Sequence, residues 1–318
     1  MKDSLISVIV PMYNVEKYIG QCASSLLGQT YRNIEYIFVN DCSTDSTVDS
    51  LEKCLADYPE RKGQVRIISN ASNKGVAYSR NIGLSQATGA YIGWCDADDW
   101  VDSRMFEDLL RKIQETGSDI AYCNYVREGV DKKIVHVTRL LDEDKERAIS
   151  DYIIKDSLCP LWNKLIAKRL FTENNVHFFE GLDYCEDFNV SVKLLFYAKK
   201  ITFQDKAYYH YRESFGSICH SSNKEKRISG FKNVMDVYEF LRSTNPGFVL
   251  ERSIIYNVLN AKLWLWYYDK DITSLQVCPE ANRYIFSNPF LGIKGKLFTF
   301  AVCSLYSMMR WVMNHVKI

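Results

Sequence analysis

Tyr91-Ile-Gly-Trp-Cys-Asp-Ala-Asp-Asp-Trp100 is a short apolar stretch that runs straight into three carboxylates, Asp96, Asp98 and Asp99. A brief continuous apolar run of this kind reads as a strand buried on both faces. Carboxylates crowded at its end repel one another unless a cation or a set of donors sits among them. Oxygen ligands suit Mg²⁺ or Mn²⁺, which take one or two protein carboxylates and complete their shell with substrate phosphates. The run therefore predicts a metal-bridged phosphate site at a strand end. The same residues also read as a loop that caps the next helix, with Asp102 and Ser103 as N-cap residues.

Working outward, three more apolar runs precede it. Leu5-Ile-Ser-Val-Ile-Val10 ends at Pro11, Tyr36-Ile-Phe-Val39 ends at Asn40-Asp41, and Val65-Arg-Ile-Ile68 is the third. Helical stretches lie between them: from after Asn14 to about Gln29, from Ser46 with Asp49 three residues on as in a capping box, and from about Gly75 to Ala87. Strand-helix alternation predicts an α/β fold, a mostly parallel sheet with helices on both faces. Ligands of such sheets bind beyond the carboxyl ends of the strands. Polar residues gather at those ends: Pro11 to Asn14, Asn40-Asp41, and Asp96 to Asp99. No Gly-x-Gly-x-x-Gly follows the first strand and no Gly-Lys-Ser/Thr loop occurs, which disfavours a dinucleotide-dependent dehydrogenase and a P-loop phosphotransferase.

Downstream the pattern is mixed. A helix from about Ser103 to Thr116, a strand near Ile120 to Tyr125 and the apolar segment Leu161-Trp-Asn-Lys-Leu165 lead to Glu180-Gly-Leu-Asp-Tyr-Cys-Glu-Asp187. A helix follows from about Phe188 to Ala198. Asp183, Glu186 and Asp187 at its start read as helix-terminal carboxylates stabilised by the macrodipole. Tyr208 to Arg212 reads as a strand ending at a Ser-Phe-Gly-Ser217 turn. Beyond Asn223 only helices are expected: Glu225 to Ser243, Glu251 to Tyr268, and about Gly295 to Asn314.

Across its 318 residues the chain is 47% apolar and 25% charged, with a formal net charge of +1. That near-neutral balance argues against a nucleic-acid partner, which calls for a clearly basic domain. Ten cysteines include no Cys-x-x-Cys pair, so they read as buried small hydrophobes rather than as zinc or redox motifs. No signal-peptide pattern precedes the first strand, and a reducing, cytoplasmic setting is expected.

Five ordered motifs carry a resemblance. Ser7-Val-Ile-Val-Pro-Met-Tyr-Asn14, Val39-Asn-Asp-Cys-Ser-Thr-Asp45, Asn73-Lys-Gly75, Ser79-Arg-Asn-Ile-Gly83 and Asp96-Ala-Asp-Asp99 resemble the family 2 glycosyltransferases over roughly residues 5 to 215. The resemblance implies a GT-A fold, Rossmann-like, and a metal-dependent enzyme that moves a sugar from a nucleotide-diphospho-sugar, generally with inversion. It implies a catalytic domain over residues 1–220, with a nucleotide-binding half (1–102) and an acceptor half (103–220). A C-terminal helical region covers 221–318.

Residue roles follow from the same resemblance. Pro11 and Tyr13 would line the base pocket, and Asp41 would accept the N3–H of uracil, pointing to a UDP-sugar. Arg80 would neutralise the nucleotide, and Asp96 would hold the ribose or the metal shell. Asp98 is the first choice for the Mn²⁺ or Mg²⁺ ligand and Asp99 the second. The base that deprotonates the acceptor hydroxyl falls on Asp187 of the Glu186-Asp187 pair, with Glu186 and Asp183 still open. His210 and Arg212 would close over the diphosphate. Plainer readings stand beside these: Tyr13 as core, Asp41 as a cap with Ser43 and Asp45, Arg80 as a solvated helix arginine, and His210 and Arg212 as parts of a structural strand. A nucleotidyltransferase, or a non-catalytic sugar-nucleotide-binding module, is the alternative function.

After Glu280 no acidic residue occurs, while Arg283, Lys294, Lys296, Arg310 and Lys317 remain. Lys296, Thr299, Cys303/Ser304, Ser307, Arg310, Asn314 and Lys317 trace a narrow polar stripe on the last helix, opposite a wide apolar face. Such a helix suits the membrane interface, and equally packing on the protein body or on a second subunit as a homodimer. The expected partners are thus a nucleotide-sugar donor and a glycan or lipid-linked acceptor. The inner face of a membrane is a further expected setting, with cell-surface polysaccharide assembly as the context.

Overall fold

A computed structural model describes residues 3–129, 133–136, 145–155, 160–213, 223–244 and 247–315. In chain order the elements are β1 (Ile6–Met12), α1 (Ile19–Leu27), β2 (Ile34–Asn40), α2 (Thr47–Ala56), β3 (Val65–Ser69), α3 (Val76–Gln86), β4 (Tyr91–Trp94), β5 (Trp100–Val101), α4 (Met105–Thr116) and β6 (Ile120–Glu128). There follow β7 (Lys133–His136), α5 (Lys145–Lys155), β8 (Lys164–Ala167), α6 (Arg169–Glu173), α7 (Glu186–Tyr197), β9 (Ile201–Arg212), α8 (Lys224–Ser243), α9 (Phe248–Asp269) and α10 (Ile293–His315). They form two compact units, Met1–Leu141 with Leu158–Ser221, and Asp142–Ser157 with Ser222–Ile318. The expected single division near residue 220 did not include the excursion of residues 142–157 into the second unit. The Ser-Phe-Gly-Ser217 turn lies outside the described residues.

The sheet of the first unit runs β3-β2-β1-β4-β8-β6-β9-β5, with β7 on β6. β3, β2, β1 and β4 are parallel. β8 is antiparallel between β4 and β6. The chain leaves β1 toward β2 and returns on its other side as β4, so the two adjacent strands diverge in connection. Their carboxyl ends open a crevice of the kind that takes ligands in open α/β sheets. Pro11 to Tyr13 and Cys95 to Asp99 leave the sheet at that crevice.

β1 is buried along its whole length, and Ser7, the polar residue within its apolar run, donates its hydroxyl to Glu35 Oε1 at 2.5 Å. β3 departs from the reading as a doubly buried strand, since it is the sheet's edge and only half-buried. Two expected caps also fail to form. Ser46 makes no side-chain cap on α2, where Asp45 Oδ1 instead accepts from the Thr47 amide at 3.0 Å. Asp102 and Ser103 do not cap α4. β5 and β9 are antiparallel neighbours, so the Asp102 amide donates to the Tyr208 carbonyl at 2.8 Å and the following turn is taken up by that pairing.

In the second unit α8 and α9 pack together, and α5 packs on α9. α10 turns its narrow stripe inward, with Thr299 and Cys303 buried. Leu297, Phe298, Phe300, Leu305 and Met308 stay exposed. Among the described residues no helix is long and apolar enough to cross a membrane.

Candidate active site

Asp41 ends β2 as a buried carboxylate. Its Oδ1 accepts from Asn70 Nδ2 at 2.8 Å and the Lys74 amide at 2.9 Å, and its Oδ2 from the Gly75 amide at 2.8 Å. It therefore fixes the turn into α3 and does not cap α2. Three donors leave room on a carboxylate that offers about four acceptor sites. Gly75, at φ 92°, is the one residue type this turn accepts without strain. A Cβ there would also lie 2.1 Å from Asp183 Oδ2. Asp183 Oδ1 in turn accepts from the Ala77 amide at 2.8 Å, so this carboxylate serves the N-terminus of α3 and not that of α7. Burial pushes the Asp183 carboxyl up, the Ala77 amide opposes this, and the Asp41 charge adds to it. Pro11 is buried where β1 pairs with Val39 of β2. Tyr13 is 45% exposed beyond it, so it is not a core residue.

Arg80 is buried within α3, not solvated. Its Nη2 lies 3.0 Å from Asp96 Oδ1, and its Nη1 lies 2.5 Å from Glu186 Oε1 and 2.7 Å from Asp187 Oδ1. Phe178 lies against its other side, 5.6 Å from the guanidinium carbon to the ring centroid. Burial alone would lower the guanidinium pKa, but Asp187, Asp96 and Glu186 together raise it. One arginine thus joins the end of β4 to the start of α7.

Glu186 and Asp187 lie in the first turn of α7, where the macrodipole favours their charge, and both carboxylates also reach Arg80. Cys185 is the N-cap of α7, in the left-handed region at φ 61°, and its side chain makes no capping bond to the helix. Burial raises the Glu186 carboxyl, opposed by Arg80. Burial also pushes Asp187 up to about 7; Arg80 opposes this, and the Glu186 and Asp96 charges reinforce it. Asp187 Oδ1 is buried without a directional hydrogen bond, even though the Arg80 charge is adjacent. That combination suits a group that must accept a proton near neutral pH.

Asp99 is buried, with Oδ2 accepting from the Tyr209 hydroxyl at 2.7 Å and Oδ1 from the Arg212 amide at 2.7 Å. Burial, then Asp98 and Asp96, raise its pKa well above the usual carboxylate range. Burial and the Asp96 charge push Asp98 up to about 6. Asp98 differs in that no other described residue donates a hydrogen bond to its carboxylate. Among the described residues no group of three His, Cys, Asp or Glu side chains forms a ready cage for a metal. The residues do fit a hard divalent ion held by one or two carboxylates and by substrate phosphates, because Asp98 is the open acceptor beside two further carboxylates.

Arg212 is held over this loop. Its Nε donates to the Asp98 carbonyl at 2.8 Å and its Nη2 to Gln21 Oε1 at 2.5 Å, and it lies over the rings of Trp100 (4.6 Å) and Tyr18 (5.0 Å). His210 stacks on Trp100 at 5.1 Å, with Nδ1 2.8 Å from Glu128 Oε1 and Nε2 3.4 Å from Asp102 Oδ1. Both residues belong to strand β9.

The structure thus brings Arg80, Asp96, Glu186 and Asp187 into one cluster, and Asp98, Asp99 and Arg212 into the next. Tyr13 and Asp41 sit at neighbouring strand ends, and His210 is engaged by Glu128. Sequence reasoning did not single out Tyr209, whose hydroxyl also accepts from the Asp96 amide at 3.1 Å, nor Asn70, Gln21 or Trp100. Only the aromatic run Tyr208 to Tyr211 hinted at the first.

The curled, mostly parallel sheet with its strand-end carboxylates is the GT-A fold, extended by C-terminal helices. The family model described as glycosyl transferase family 2 matches residues 7–172, and the chain belongs to that family. Glycosyltransferase GlyG of Streptococcus pneumoniae serotype 4 is 34% identical over 248 residues, which are 74% of this chain and 79% of GlyG. The uncharacterized glycosyltransferase EpsJ of Bacillus subtilis is 32% identical over 223 residues, and the chain spans 62% of EpsJ's length. Staphylococcus aureus TarS, a poly(ribitol-phosphate) β-N-acetylglucosaminyltransferase, is 30% identical over 239 residues, which are 74% of this chain and 39% of TarS. The crystal structure of TarS 1-349 in complex with UDP-GlcNAc superposes with a TM-score of 0.67 at 23% identity, covering 98% of this chain and 92% of that one.

Proposed function

We propose that this protein is an inverting glycosyltransferase that moves a sugar from a UDP-sugar to a hydroxyl of a glycan or lipid-linked acceptor. The observation that carries the reading is the Asp187 carboxylate: buried, raised to about 7, and joined through Arg80 to the strand-end carboxylates. The names of the relatives, a poly(ribitol-phosphate) β-N-acetylglucosaminyltransferase among them, support a polymer of the cell surface as acceptor.

Tyr13, exposed at the rim beside Pro11, stacks on the base, and Asp41 offers its remaining acceptor site to uracil N3–H. A divalent Mn²⁺ or Mg²⁺ held by Asp98, with Asp99 behind it, would stabilise as a Lewis acid the charge growing on the departing UDP. Arg212 sets a fixed cation next to Asp98, and with His210 it borders the diphosphate. Asp96 and Arg80 tie this loop to α7. Asp187 takes the proton of the acceptor hydroxyl as its oxygen attacks the anomeric carbon opposite the leaving group. Glu186 shares the Arg80 guanidinium and keeps Asp187 from being neutralised by a full ion pair of its own.

Calorimetric titration tests the reading, with UDP and GDP, each with Mn²⁺ and with EDTA, on wild type and Asp98→Ala. Tighter binding of UDP with Mn²⁺, lost in Asp98→Ala, is the expected result. Full UDP-sugar turnover in EDTA refutes the metal role, and equal binding of GDP refutes the uridine contact.

A further inference from the structure

The buried segment Leu161 to Lys164 touches both carboxylate clusters of the site. It is a turn held from within. Lys164 donates its amide to the Leu161 carbonyl at 3.1 Å, and its ammonium to the Pro160 carbonyl and, at 2.8 Å, to Asn163 Oδ1. A buried ammonium is costly to keep, and these donors go to the shape of the turn. Asn163 fastens the turn to β6. Its Nδ2 donates to the Cys123 carbonyl at 2.9 Å, and its own carbonyl accepts the Cys123 amide at 3.0 Å.

The Leu161 amide donates to the Asp187 carboxylate. The next residue, Trp162, lays its indole on Tyr209, with ring centroids 4.1 Å apart and planes 16° from parallel. Tyr125, opposite Tyr209 in the β6–β9 pairing, meets the indole edge-on at 4.8 Å. Tyr211, two residues along β9 and so on the same face, lies 5.9 Å away. The indole thus fixes where the Tyr209 ring lies. The Tyr209 hydroxyl donates to Asp99 Oδ2 at 2.7 Å and accepts from the Asp96 amide at 3.1 Å. From Asp187 to the Asp96–Asp99 loop the contacts run through Leu161, Trp162 and Tyr209, all buried. Arg80 joins the same two places by charge, and the turn adds a tie that does not depend on charge. Trp162 is only 4% exposed, so its face is not offered to a substrate.

We propose that Trp162 is a positioning residue that holds Asp187 and the Asp96–Asp99 loop at one separation, acting through Leu161 on the first and through Tyr209 on the second. Trp162 has this role on the reading of Asp187 as the base and of the loop as the holder of the diphosphate. Displacement needs the attacking oxygen and the leaving group on opposite faces of one carbon, and a misplacement of about 1 Å can cost about 10²-fold in rate.

Trp162→Leu and Trp162→Phe test this, with two readouts that loss of packing alone does not move. The first is the ratio of UDP affinities with Mg²⁺ and with EDTA, measured by calorimetry. The second is the titration of the Asp187 carboxyl carbon in ¹³C-labelled protein without metal, its resonance assigned by its absence in Asp187→Asn. Asp187 faces Arg80 of α3, Glu186 of its own helix, Asp96 beyond β4 and the Leu161 amide, and only the amide is displaced in these variants. Trp162→Leu should lower the Mg²⁺-dependent ratio about three- to tenfold, as one lost hydrogen bond does, with metal-free UDP binding unchanged. Asp187 should titrate about 0.5 to 1 pH unit higher, because the amide favours its charged form. Trp162→Phe keeps a smaller ring on Tyr209 and should fall between Trp162→Leu and wild type; it decides alone if the Leu variant does not fold. In a Tyr209→Phe background, Trp162→Leu should lower the ratio by less than about twofold more, since the hydroxyl it acts through is gone. Variants that melt lower but match wild type on both readouts, or full additivity in the double variant, overturn the proposal. Wild-type UDP binding that ignores Mg²⁺ overturns the transferase reading instead, and the Asp187 titration then decides the role of Trp162.

Discussion

Replacing Asp187 by Asn should cost activity and raise stability together, with the gain growing as pH rises. The carboxyl goes from 3.8 to about 7 in the fold, chiefly through burial. A folded-state pKa above the unfolded one means that stability is full below the unfolded value and is lost as pH rises through the folded value. Ionised Asp187 is thus a liability that sets in between about pH 4 and 7. The shift of about 3 units, at about 1.4 kcal/mol each, caps it at about 4 kcal/mol. Asn removes the charge and keeps one oxygen to accept from the Leu161 amide, but it turns an NH₂ donor toward the Arg80 cation, a cost on the order of 1 kcal/mol. The Asp187→Asn substitution should therefore stabilise the fold by about 2 to 3 kcal/mol at pH 8 and by almost nothing at pH 4. At a few degrees per kcal/mol this is readable in thermal melts at pH 4, 5, 6, 7 and 8. Transfer should fall by about 10²-fold or more while UDP binding stays near wild type, because Arg80 keeps Asp96 and Glu186. A variant that is less stable at pH 8, or whose gap to wild type is flat with pH, refutes the burial argument. Normal transfer by the variant refutes the base assignment, and loss in Glu186→Gln alone would move it by one residue.

Other outcomes follow from the same geometry. The kcat/KM of wild type should rise with pH through about 7, since the deprotonated carboxylate is the active form, and a rate profile flat from pH 5 to 9 contradicts it. Gly75→Ala should destabilise by about 2 kcal/mol or more, from the left-handed backbone and the clash with Asp183, and should weaken UDP binding through Asp41; urea midpoints and titration check both. Tyr209→Phe removes the donor to Asp99 and the acceptor of the Asp96 amide, so a loss of about 1 to 3 kcal/mol is expected, together with weaker Mn²⁺-dependent UDP binding.

The nucleotide half of the fold was readable because its strands are short, mostly apolar runs and its polar site residues begin where those strands end. β8 was not readable, because it opens with Lys164, a buried residue whose ammonium is satisfied by the Pro160 carbonyl and by Asn163. A lysine in that position breaks the pattern that marks a strand. The resemblance implied a nucleotide role for Arg80, but its bridging of three carboxylates was not legible, since its partners are 16 and 106 residues away. Asp183 was assigned to the wrong helix for the same reason, its acceptor role being 106 residues distant. In α10 the periodicity was correct and the direction open. Spacing tells that two faces differ, and only the packed structure tells which one is inside.

The excursion of residues 142–157 bears on synthesis. α5 buries Ala148, Ile149, Tyr152 and Ile153, and Ser150 bonds to Ser253, 103 residues later in the chain. At about 5 to 20 residues per second, roughly 5 to 20 seconds separate the emergence of α5 from that of α9. During that interval a helix with one apolar face hangs from a nascent chain with its seat still unmade. A ribosome stalled before α9 would leave α5 uncovered, so this stretch is where a chaperone that reads exposed apolar side chains would find the growing polypeptide.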